Sequence, residues 1–197
     1  MKEYLLSKLK EHPSDVDAIC TLASVKLELR EGDTEYIKLL EDFLDRFQNE
    51  IDDKQVARIY TNIAFIEDYS RRALDYLTKA KDLKSPYVET YTALGLYYFP
   101  DCDLSKEKKN IVRSNEFFKY ARELENSYES NINYGASLYA LGEYQEAKDI
   151  FEKLIMVYPD RMWLKLCIAY CDVALGNKTT AISYLENIKI GSDDNYD

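Results

Sequence analysis

Side chains able to do chemistry are sparse in this chain, and their spacing limits what they can do. The 197 residues hold one histidine, His12, between Glu11 and Pro13. A Ser-His-Asp or Cys-His site would have to use it, and nothing in the sequence places a nucleophile beside it. At the end of a predicted helix, a histidine suits the negative pole of the helix dipole instead. Cys167 and Cys171 stand four apart and share one helix face. Two thiolates can contribute to a zinc site, but no further pair of ligands is in view. Cys20 and Cys102 are remote in sequence, so buried free thiols are the expectation for all four. Acidic pairs such as Asp52–Asp53 and Asp193–Asp194 read as solvated turns, because acid–base work needs a cleft around them. No G-x-G-x-x-G stretch and no P-loop occurs. We expect no enzyme, no cofactor and no metal, so function has to come from a surface, and the elements that build it come next.

Composition narrows the partner. Apolar residues make up 46% of the chain, enough to fold. Six glycines and four prolines are too few for the turns of an all-β protein. The net charge of -10 argues against nucleic acid and anionic membranes, which are bound by clustered Lys and Arg. It fits a protein or peptide partner with a basic component, although charge also serves solubility alone. The opening MKEYLLSKLKEHP has neither the apolar core nor the cleavage site of a signal peptide. No apolar run reaches 18 residues, so a membrane span is not expected. Cytoplasm is the expected location, and Met1 with the polar end leads us to expect a complete chain.

The stretch NYGASLYALGEYQEAKDIFEKLIMVYP, residues 133–159, carries the clearest pattern. Ile132, Gly135, Leu138 and Tyr139 lie at helical spacing and predict a helix near 128–140. Gly142 suits its left-handed end. Tyr144, Ala147, Ile150, Phe151, Leu154 and Ile155 predict a second helix near 144–157, stopped before Pro159. Small residues at 135 and 147 let two antiparallel helices come close, and Phe151 and Leu154 fill the space toward the next pair. Ala169, Gly176, Ala181 and Leu185 repeat Gly135, Gly142, Ala147 and Phe151 after 34 residues.

This pattern resembles the tetratricopeptide repeat, a 34-residue helix–turn–helix unit. Counted from Tyr128, Gly135, Ala147, Phe151 and Pro159 match its small, small, aromatic and proline places. Tyr91, Leu94, Gly95 and Tyr98, with Ser114, Phe118 and Ala121, give another repeat. Its two halves are out of phase by 7 residues, and the extra length falls around the loop at 99–110, the expected mobile segment. Ala73, Leu77 and Ala80 mark a second helix further upstream, and Leu22 and Ala23 with a turn at Gly32 mark the earliest full repeat. Ser14, Ser85 with Pro86, and Asp160 are the expected helix starts. The expectation is an all-α chain of eleven helices. They form a single right-handed superhelical array over 1–188, with a half-repeat at 2–11 and repeats near 14–48, 54–83, 86–124, 128–159 and 161–188. A polar tail follows at 189–197.

The resemblance implies a concave groove lined by the first helix of each repeat, and a peptide or protein segment bound in it. Ile132 and Tyr139 would face the groove from one repeat, Trp163, Leu166 and Tyr170 from the next, and Leu96 and Phe99 from an earlier one. Aromatic residues of this kind are the usual hot spots of interfaces. The alternative for these residues is packing on neighbouring helices or in a homodimer. One subfamily clamps a C-terminal carboxylate with Lys and Asn, and Arg58 and Asn62 occupy that first pair of places. The following Asn place holds Ala93, so a complete clamp is not expected. The resemblance thus implies a non-enzymatic binding module, an adaptor or a partner-specific chaperone. A self-associating assembly protein, a homo-oligomer, or a small immunity-type protein that neutralises one partner stays open as an alternative.

Overall fold

The computed structural model describes residues 1–28, 33–67, 70–99 and 108–186. Gly32, Pro100, Cys102, most of the 99–110 loop and the tail at 189–197 lie outside them. Among the described residues there are eleven α-helices and no strand. The chain divides into two compact units, Met1–Tyr97 and Tyr98–Asp197.

The first unit holds α1 (Lys2–Glu11), α2 (Val16–Glu28), α3 (Asp33–Phe47), α4 (Asp53–Ile66) and α5 (Arg71–Asp82), and almost all of α6 (Val88–Tyr98). Each of the first four packs on its successor, and α2 also meets α4, as stacked helix pairs require. Helix starts follow local chemistry. Asp52 caps α4 through the Gln55 amide at 2.8 Å, and the Gln55 side chain returns the bond to the Asp52 amide. Ser70 caps α5 through the Ala73 amide. The start of α2 corrects the sequence expectation: Asp15, not Ser14, accepts the Ala18 amide at 2.8 Å. Ser85 and Pro86 do not open α6 either, which begins two residues later at Val88. Ser85 is buried instead, in a chain of hydroxyls. Thr61 donates to the Ala57 carbonyl, so Thr90 must donate to Thr61, and Ser85 in turn to Thr90. Each hydroxyl has one proton, and this direction satisfies all three.

The second unit holds α7 (Lys108–Leu124), α8 (Tyr128–Leu141), α9 (Tyr144–Val157), α10 (Met162–Ala174) and α11 (Lys178–Glu186), each packed on the next. Its core joins Phe118, Tyr134, Leu138, Ile150, Phe151, Leu164 and Ile168. Gly142, at φ 89°, closes α8, where its amide meets Tyr139 and the next amide meets Leu138. Thirty-four residues on, Gly176 and Asn177 close α10 on Val173 and Asp172 in the same way. Gly135 makes room for an aromatic ring more than for Ala147: a Cβ there would stand 2.5 Å from Cε1 of Phe151. Asp160 does not cap α10. Arg161 holds that place with extended backbone and no side-chain bond.

Candidate partner-binding surfaces

The groups with chemical potential are spread out and quiet. His12 is exposed at the end of α1. Burial pushes the Cys167 thiol up to about 12 and the Cys171 and Cys20 thiols up to about 11, so all three stay protonated and poorly nucleophilic near neutrality. Among the described residues no group of three or more His, Cys, Asp or Glu could hold a metal ion. None of the described helices is long and apolar enough to cross a membrane.

In the first unit, Arg58 and Asn62 come together in a cleft of about 290 Å³. They stand one turn apart on α4, facing Cys20, Thr21 and Ser24 of α2, with Tyr87 and Glu89 at its edge. Burial works against the Arg58 charge, but the Asp17 carboxylate that it donates to outweighs this and raises its pKa. Asn62 lines the cleft with Cys20. With Asp17 as its partner, Arg58 already has its countercharge. Phe65 completes the same α4 stripe and is exposed. Its spacing from Arg58 and Asn62, three residues beyond Asn62, is a signal that a search for polar pairs passes over. Leu96 is on α6 and does not line this cleft.

In the second unit, α10 is sharply two-faced. Leu164, Ile168 and Cys171 are buried in the core. Trp163 and Tyr170, seven residues apart and so on one stripe, are 57% and 56% exposed. Val173 extends that stripe and Leu166 lies half-buried between the rings. Tyr139 on α8 is half-buried, with its ring 5.1 Å from Tyr144, and burial raises its phenol. Ile132 and Phe99 pack partly against the core, Phe99 edge-on to Phe118 at 6.0 Å. The sequence-derived set thus separates into exposed rings on α10, side chains on α8 and at Phe99 that lean on the core, and the Arg58–Asn62 pair of the other unit.

The family model described as tetratricopeptide repeat matches residues 132–161, from the first turns of α8 through α9. The fold agrees. The structure of YrrB, titled as a TPR protein with an unusual peptide-binding site, superposes with a TM-score of 0.73 at 17% identity, covering 94% of this chain and 91% of that one. Residues 132–161 match the tetratricopeptide repeat, and the chain around them has the tetratricopeptide fold. A crystal structure of MamA gives a TM-score of 0.67 at 17% identity, with 87% and 88% of the two chains covered. A tetratricopeptide repeat protein from Parabacteroides merdae gives 0.59 at 16%, with 94% and 70% covered. No curated protein matches the sequence. At these identities the likeness speaks for the tetratricopeptide fold of helix pairs, and function has to be argued from the surfaces.

Proposed function

We propose that this chain is a non-enzymatic protein-interaction module. Its binding surface is the aromatic stripe of α10, extended by Tyr139 and Ile132 of α8, and its ligand is a peptide or protein segment. The observation that carries this reading is the exposure of Trp163 and Tyr170 on one helix whose other face is core. Two large rings in water at helical spacing offer apolar area with little side-chain entropy to lose, the chemistry of interface hot spots. The net charge of -10 favours a ligand that adds basic residues to an apolar or aromatic face. YrrB, a TPR protein with an unusual peptide-binding site, is consistent with such an occupant. An adaptor or a partner-specific chaperone in the cytoplasm is the role we assign.

The test is capture from native lysate by wild type and by a Trp163→Ala, Tyr170→Glu double variant. Both positions are exposed, so helicity should be equal in the two proteins. The captured partner is then identified and its affinity measured. We expect the variant to lose at least about tenfold, as expected for two hot-spot rings. Equal affinity in both proteins would move the site off α10.

A further inference from the structure

α9 and α11 are second helices of successive repeats, so their residues correspond at a separation of 34. In α9 two positions grip the next helix. Phe151 is 2% exposed in a core that includes Leu164 and Ile168 of α10. Lys148 places its ammonium 2.7 Å from Asp172 of α10. Their counterparts in α11 are Leu185 and Ile182, and these are 39% and 56% exposed. An isoleucine stands where the previous repeat has a lysine, yet it faces water. Ile182 and Leu185 share a stripe of α11 with Lys178 and Glu186, both exposed and each four residues from Ile182. Ala181, one turn before Leu185 and beside Ile182, is buried at the inner edge of this stripe.

We propose that this stripe is the contact of a symmetric dimer, in which α11 of one copy lies antiparallel to α11 of a second copy, centred on Ile182. A two-fold interface must be self-complementary, each surface matching its own image. This one is. Antiparallel pairing sets Ile182 on its counterpart and brings Lys178 of each copy opposite Glu186 of the other, twice over. Parallel pairing would set Lys178 on Lys178 and Glu186 on Glu186. Placing the charges equally far on either side of the central apolar residue selects the antiparallel register. The helix has nine residues and spans only about 13 Å. The contact is therefore small, and the dimer is weak and concentration-dependent. It uses none of the α10 rings and stands independently of the peptide-binding reading.

Sedimentation equilibrium on the full chain tests this, over about 10 to 500 μM, the range suited to a small interface. Wild type should move from 23.1 kDa toward twice that mass. Ile182→Lys should stay monomeric at unchanged helicity. Lys178→Glu and Glu186→Lys should each weaken the dimer by about tenfold, since each turns two attractions into repulsions. The combined Lys178→Glu, Glu186→Lys protein should return to within about twofold of wild type, because the swap restores both pairs. A wild type that stays monomeric throughout would overturn the proposal and leave the stripe to another protein or to residues 187–197. Masses climbing past the dimer, a dimer that survives Ile182→Lys, or a double swap that fails to recover would overturn it as well.

Discussion

Gly135 and Phe151 form a pair in which one residue exists to accommodate the other. Two effects oppose each other in Gly135→Ala. Helix propensity favours alanine by about 1 kcal/mol. Against it, the new Cβ would meet Cε1 and Cζ of Phe151 at 2.5 and 2.7 Å. Both distances are well inside van der Waals contact, and the ring is too enclosed to turn aside. Overpacking of this kind costs about 1–3 kcal/mol. The clash should win by about 1 kcal/mol, a fall of about 2–4 °C in Tm for a chain of this size. Phe151→Leu placed in the Gly135→Ala background should be milder than in wild type, because the smaller side chain removes the clash. A rise in Tm for Gly135→Ala alone would show that the ring yields freely.

Between helices, the link that joins α9 to α10 is a charged pair. Asp172 is 1% exposed and receives Lys148 at 2.7 Å and, more distantly, Asn177 at 3.4 Å. The two partners are not equivalent. Without Asp172, Lys148 still has Glu152 at 3.5 Å and a route to water. Without Lys148, Asp172 keeps only the long Asn177 contact in a dry site. Lys148→Met should therefore cost about 3 kcal/mol and Asp172→Ala clearly less, read from denaturant unfolding. The hydrogen bond from Lys148 to Asp172 raises the lysine pKa above its ordinary value, with burial opposing it. A raised folded pKa means that the unfolded chain loses this proton first. The stabilisation is then complete below about pH 10.4, the unfolded lysine value, and fades as pH rises through the folded one. Lys148→Met should remove that part of the alkaline decline.

Element order is legible in the sequence because small residues and glycines at a 34-residue period have few other physical reasons to recur. Gly142 and Gly176 are readable as turns, since positive φ is costly for other residues. The same closure at Lys84, at φ 54°, has no glycine to announce it. Helix starts are less legible. Ser14 and Asp15 are both good caps, and only backbone direction selects Asp15. Ser85 looks like a cap but is drawn into the Thr90–Thr61 hydroxyl chain, a partnership of residues far apart in sequence. On the surface, sequence spacing places Trp163 and Tyr170 on one stripe. It does not tell Tyr139, Ile132 and Phe99, which lean on the core, from those two, which face water, because that depends on what the neighbouring helices cover.

Across the whole molecule, two surfaces have distinct proposed roles, an aromatic stripe for a partner and an apolar stripe on α11 for a second copy. The chain offers a built-in reporter for the first, since Trp163 is its one tryptophan and lies on that stripe. Half-exposed indole emits at a wavelength set by water around it, and a ligand that covers the ring dries it. The measurement that bears most directly on the central claim is Trp163 emission while a tryptophan-free segment of the captured partner is titrated in. A partner seated on the α10 stripe should give a saturable blue shift, with a midpoint equal to the affinity measured independently, and no such shift from a segment stripped of its apolar residues. Binding at the same affinity with Trp163 emission unchanged would contradict it and place the partner on another face of the repeats.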